Sequence, residues 1–359
     1  MTSYRDNPRM SQSELKLLQH SPDKFFSPRR EGPRKSYFSL GTAVDTALTD
    51  GLEALEDRVI LLDSMPSGKI YGIAEWLVDN GLQDIDENIL AAREAVNYNS
   101  TLLPPTVIRH YREQAEWYYS ILSTAEGKIL LTEDDAHKVK RIYTSLTTNK
   151  YTAHIFEKKE HEIFVDHAII YYTYKGVECK AEIDRLKFDL SNMTVTPYDF
   201  KTMGESTRMF ATSVKKYRYD IQAASYTLAV DCLITSHKLN NETAHSPNID
   251  FDISGFRIMP FTFVVETTDN ERIGIAPMVY RCSSELLRAG MWGVYPDKKN
   301  SVNGPAPNIL FKSYNLIPGF DALIDEYLFL ISLPENERNY TSSEHEELTS
   351  TGAISLSVW

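Results

Sequence analysis

Two segments of the chain set carboxylates and a lysine in an order that could hydrolyse a phosphodiester. In VECKAEIDRLKFD (177–189), β alternation places Asp184 on one strand face with Lys180 and Glu182, and Ala181 and Ile183 on the other. In TVTPYDFKT (194–202), Asp199 and Lys201 share a face, opposite Tyr198 and Phe200. A two-residue hairpin turn at Ser191-Asn192 sets Asp184 directly across from Asp199, with Cβ atoms about 4.5–5.5 Å apart. Carboxylates that close repel unless a cation lies between them, and oxygen donors suit Mg²⁺ or Mn²⁺. The metal would activate water and neutralise charge on a phosphate. Lys201, beside it, would orient or deprotonate the nucleophile or stabilise the transition state.

A lone D-x-K on a strand is common, and its ordinary meaning is a solvated ion pair. The helix that follows gives this one its weight. In YRYDIQAASY (217–226), Gln222 and Tyr226 lie one turn apart on the same face, directly after Lys215, Lys216 and Arg218. A basic helix bearing aromatic and amide groups suits a phosphate backbone.

The elements that must position these residues are readable around them. β-branched and aromatic residues predict strands over 161–175, 177–189 and 194–201, then a helix from about 212 to 235. Strands 255–266 and 272–281 follow, joined by a turn at Thr268-Asp269-Asn270, and a helix near 283–289 ends at Gly290. Ser11 and Glu14 form a capping box opening a short helix before Pro22. A helix is expected over 41–55, and helical stretches over 74–80, 87–96, 106–122 and 133–146 make 55–150 a helical insertion or layer without a nameable motif. The division expected is a single domain over 1–335, with N-terminal helices in 11–50 and a catalytic core in 155–300, then a polar tail over 336–359.

The 359 residues carry 38 Lys and Arg against 50 Asp and Glu, a net charge of −12. That total counts against nucleic acid as a partner. The distribution says otherwise. Residues 1–35 hold eight basic side chains against four acidic, and residues 201–220 hold five against two. No apolar run reaches membrane-spanning length, and the start lacks the apolar stretch of a secretory leader. Cys179, Cys232 and Cys282 are too scattered for a disulfide framework, which fits a reducing cytoplasm. His154, His161 and His167 match no common zinc spacing.

The ordered set of motifs resembles the PD-(D/E)XK nuclease superfamily, and more closely its RecE-type (exonuclease VIII-like) phage recombination exonucleases. The likeness lies in KAEIDR, YDFKT and YRYDIQAASY, joined by SQSELKLLQHSPDKFF (11–26) and LGTAVD (40–45), and covers roughly 11–50 and 155–300. It implies an α/β fold whose core is a mixed sheet flanked by helices in the order αβββαβ, here with an additional helical segment. It makes Asp184 and Asp199 metal ligands, Phe200 a backbone-carbonyl ligand and Lys201 the catalytic lysine. Gln222 and Tyr226, with Lys215, Lys216 and Arg218, would lie along DNA. Asp45 stands where the family places a metal-binding histidine, and remains a competent hard ligand. Glu162 is a further acid near the site.

The activity so implied is a Mg²⁺- or Mn²⁺-dependent exodeoxyribonuclease that resects linear double-stranded DNA, 5′ to 3′, for phage-type recombination. A ring-shaped homo-oligomer (trimer or tetramer) and a single-strand annealing protein are implied partners, inside a bacterial or phage-infected cell. Three unpaired cysteines do not suit an iron–sulfur cluster, and no P-loop for ATP is encoded. An endonuclease or nickase of the same fold stands as one alternative. A DNA-binding protein with a decayed site, suggested by Asp45, is the other.

Overall fold

The computed structural model describes residues 4, 7–19, 21–27, 36–99, 101–125, 127–269, 276–294, 317–339, 341 and 345. Ten strands occur among them: β1 (Met10–Ser11), β2 (Val59–Leu62), β3 (Ile129–Thr132), β4 (Glu162–Tyr174), β5 (Val177–Asp189), β6 (Thr194–Met203), β7 (Ala244–His245), β8 (Arg257–Ile258), β9 (Thr262–Thr267) and β10 (Met278–Arg281). The chain forms two compact units in place of the single domain expected. One joins Met1–Pro28 to Asn149–Trp359, and the other is Arg29–Thr148.

The larger unit is built on a mixed sheet ordered β10-β9-β6-β5-β4-β7, with β1 parallel to β5 and β8 parallel to β6. β4, β5 and β6 form an antiparallel meander, and β9 returns parallel beside β6. A parallel return needs a crossover, supplied by helices Phe210–Tyr217 and Tyr219–Leu239. The sequence predicts one helix here. The structure breaks it at Arg218, whose φ of 53° ends the first helix and caps the second. Lys175 and Gly176, both at positive φ, make the tight turn between β4 and β5, as hairpin twist requires.

The turn from β5 to β6 spans four residues rather than two. Its last pair is Asp189 with Thr194, and the Asp189 carboxylate accepts the backbone N–H groups of Ser191 and Asn192. Since two residues are added symmetrically, the register is the one a two-residue turn gives. The strand expected over 255–266 is two short segments, because Pro260 has no N–H for the ladder. β10 begins at Met278; Asn270 and residues 271–275, where the turn and strand were expected to continue, lie outside the described residues, as does most of the tail.

Gly290 does not end its helix, which runs over Ser284–Trp292. A Cβ there would collide with the Asp220 carbonyl, so the missing side chain lets this helix cross Tyr219–Leu239 closely. Ala168, Ile170, Cys179, Ala181, Ile183, Phe188, Ile221, Tyr226 and Leu233 are among the buried residues that join sheet to helix in one core.

The smaller unit is helical around a separate core that includes Ile73, Leu77, Ile89, Val107, Tyr111 and Tyr118. It starts at Arg29 rather than 55, taking in helix Ser36–Asp50. It also contains an unexpected parallel pair, β2 with β3. Each is four apolar-rich residues, too short to show alternation. The helix expected over 106–122 is two, Pro104–Gln114 and Glu116–Thr124, parted at Ala115.

Candidate active site

Asp184 sits at a break in the strand pattern. Core-facing pairs run Tyr172–Cys179, Ile170–Ala181 and Ala168–Ile183, then change phase to Val165–Leu186 and Ile163–Phe188. Between the two sets His167 takes a φ of 47° and drops out of the ladder opposite Asp184. Extended backbone alternates faces strictly, so the left-handed residue shifts the side chains of β4 beyond it, and β5, in register with β4, changes phase at the same place. Asp184 therefore follows the phase of Leu186 and Phe188. It does not share a face with Lys180 and Glu182, as uniform alternation predicts.

That shift turns Asp184 toward helix Tyr219–Leu239, on the side where Asp199 already lies. The β5–β6 ladder runs to Arg185 opposite Tyr198, and Asp184 and Asp199 are the next positions along it. Asp184 Oδ2 accepts the backbone N–H of Phe200 at 2.6 Å, tying the first carboxylate to the strand that carries the second.

Asp199 is 1% exposed. Its Oδ1 accepts a hydrogen bond from Gln222 Nε2 at 2.6 Å, and its Oδ2 lies 2.6 Å from Lys201 Nζ. Burial pushes the Asp199 carboxyl above the ordinary value, with Lys201, Lys16 and Gln222 pulling the other way. Burial also opposes the charge on Lys201. Asp199 and Asp184 outweigh it, so its pKa lies above that of an ordinary lysine. The Tyr219 ring lies 5.2 Å from the same ammonium.

The strand between these residues is braced from the opposite face. The Phe200 ring lies 5.2 Å from Phe156, and the Arg185 guanidinium sits 4.6 Å from Phe164, 5.5 Å from Phe156 and 5.6 Å from Phe200. Arg185 pairs with Asp166 at 2.5 Å and donates to the Ile155 carbonyl. A buried cation packed on rings and paired with a carboxylate leaves the Asp199–Lys201 backbone little freedom to shift.

Gln222 and Tyr226 are buried, at 7% and 8% exposure, so neither lines an open surface. Gln222 holds Asp199. Burial raises the Tyr226 hydroxyl well above its ordinary pKa, and the hydroxyl pairs with Gln12 from the capped N-terminal helix. The capping box itself is present, with Ser11 N–H donating to Glu14 at 2.7 Å.

Glu162 and Arg218 lie elsewhere. Glu162 belongs to the opposite sheet face, 2.9 Å from Lys187 Nζ, and its register partner is Asp189. It neutralises a buried lysine and is not an acid of this site. Arg218 grips Asp220 at 2.9 Å and donates to the Pro318 carbonyl at 2.9 Å, so its guanidinium fixes the helix junction instead of facing a ligand. Lys215 and Lys216 are exposed. Asp45 lies half-buried on helix Ser36–Asp50 of the smaller unit, beside the buried Val44, Ala47 and Leu48 positions.

Sequence reasoning missed Lys16. It lies in the 3₁₀ turn Lys16–Gln19, and its Nζ donates to the Tyr217 carbonyl at 3.2 Å. Burial pushes its pKa down to about 8, aided by the charge of Lys201 and opposed by Asp220 and Asp199. Its place in the basic stretch 1–35 is the signal available; nothing local ties it to residues two hundred positions away.

Among the described residues no three His, Cys, Asp or Glu side chains are grouped so as to hold a metal ion. Two carboxylates suffice for a cation that keeps water and phosphate as its remaining ligands, as Mg²⁺ does. Asp184 and Asp199 supply hard anionic oxygens, and the donor set fits Mg²⁺ or Mn²⁺ rather than a soft metal. No family model and no curated protein matches the chain.

Proposed function

We propose that this protein is a metal-dependent deoxyribonuclease of the PD-(D/E)XK type, acting as an exonuclease on linear double-stranded DNA. The observation that carries this is the juxtaposition of Asp184 and Asp199 by the β5–β6 register, with Lys201 Nζ 2.6 Å from Asp199. The order of elements supports it: a capped N-terminal helix, a three-strand meander, a crossover helix and a parallel strand.

Asp184 and Asp199 would hold Mg²⁺ or Mn²⁺, which would supply Lewis-acid polarisation of the scissile phosphate. The chain does the rest. Gln222 and the Phe200 N–H orient the two carboxylates, in the way that outer partners fix metal ligands. Lys201 brings a preorganised cation to the charge that develops on the phosphate as water attacks and the leaving oxygen departs. The buried side of the site restricts water, which strengthens each of these interactions.

The test uses duplex DNA labelled separately at its 5′ and 3′ ends, with covalently closed circles as the control. Mg²⁺-dependent loss of one end label with circles spared is the expected result. EDTA abolishes it. Nicking or linearisation of circles would instead make the enzyme an endonuclease of the same fold, and no cleavage of either substrate overturns the nuclease reading.

A further inference from the structure

The hydrolytic reading leaves a line of aromatic and ammonium groups unused beside the site. Tyr217 ends helix Phe210–Tyr217 with half its surface, 50%, exposed. Its ring lies 5.7 Å from that of Tyr219, which in turn lies 5.2 Å from Lys201 Nζ. Lys216 Nζ stands 5.0 Å from the Tyr217 ring, and Lys16 Nζ reaches the Tyr217 carbonyl at 3.2 Å. The line thus runs outward from the buried carboxylates to solvent.

Its backbone is held in place. Arg218, in the left-handed conformation between the two tyrosines, is clamped by Asp220 and the Pro318 carbonyl. An exposed ring set at a fixed helix end, with one ammonium against the ring and a second on the backbone carbonyl of the same residue, matches the chemistry of one nucleotide: a flat base next to phosphate.

We infer that Tyr217, Lys16 and Lys216 form a nucleotide subsite adjoining the hydrolytic centre. The ring stacks on a base of the strand being cut, and the lysines meet its phosphates. The inference rests on the nuclease reading of the same site, and it assigns these residues to holding substrate rather than to chemistry. The hydroxyl of Tyr217 has no part in it; the π face does.

The experiment uses the full chain as wild type, Tyr217→Ala, Tyr217→Trp, Lys16→Gln and Lys16→Arg, with thermal melting to verify folding. Binding is read without turnover, in Ca²⁺, by the emission of 2-aminopurine placed at either end of a short duplex. Turnover is read in Mg²⁺ as separate KM and kcat. Tyr217→Ala is expected to raise KM about tenfold, to leave kcat within about twofold, and to abolish 2-aminopurine quenching. Tyr217→Trp restores both. Lys16→Gln is expected to lower the salt slope of binding by about one, and Lys16→Arg to keep it. Unchanged KM and quenching in Tyr217→Ala, with an active wild type, overturn the subsite alone. A wild type that neither binds nor cuts DNA overturns the subsite together with the nuclease reading.

Discussion

Asp199→Asn is expected to lower Mg²⁺-dependent cleavage of linear duplex by roughly 10³-fold or more while the fold survives intact. Asparagine keeps the size of the side chain and an oxygen to accept the 2.6 Å hydrogen bond from Gln222. What it removes is the charge. The metal loses an anionic donor and Lys201 loses its nearest counter-ion. Stability responds differently. A carboxylate at 1% exposure pays a desolvation penalty that its partners must offset, and the neutral amide escapes it. Lys201 keeps Asp184 close and stays 23% exposed, so the variant is expected to melt at or above the wild-type temperature. Activity within threefold of wild type, measured beside a normal melt, would contradict this role.

Lys201→Met makes the opposite trade. Loss of the ammonium removes the cation that meets developing phosphate charge, at a cost of about 10²–10³ in kcat. It also strands Asp199 as a buried, unpaired carboxylate, and breaking such a pair costs about 3–5 kcal/mol. Burial already pushes the Asp199 carboxyl upward, and without Lys201 its strongest opposing charge is gone. A carboxyl whose folded pKa lies above its unfolded one supports the fold below the unfolded value. That support is lost as pH rises through the folded value. The stability deficit of Lys201→Met is therefore expected to be smaller in acid and to grow as the pH rises, seen by urea melts across a pH series. Combining the substitution with Asp199→Asn is expected to recover most of the lost stability and none of the activity, since contacting residues do not act additively. A deficit independent of pH would mean that Lys201 acts only by packing.

The strands and their register were legible because long alternating segments and a polar turn constrain each other. The two extra residues in the β5–β6 turn were added symmetrically, so the juxtaposition of Asp184 and Asp199 survived a wrong turn length. The side-chain phase was not legible. It depends on His167 adopting a positive φ, which neighbouring residues do not signal. Gln222 was found by helical spacing, yet its burial under the sheet was not, because spacing fixes a face and not what covers it. Arg218 was misassigned for a related reason. Beside two lysines it looks like a phosphate contact, while one of its partners, Pro318, lies 100 residues away. Lys16 fails in the same way in reverse. In the net charge, −12 describes the whole chain, whereas Lys16, Lys201, Lys215 and Lys216 set the local sign near the site.

The most direct test of the account is the rate of nucleotide release from linear duplex DNA in Mg²⁺, for wild type and Asp184→Ala side by side. Asp184 contacts Phe200 N–H and neighbours Asp199 in register, so the account predicts steady release by the wild type and none measurable by the variant. Equal rates for the two proteins would show that hydrolysis, if present, occurs at another site.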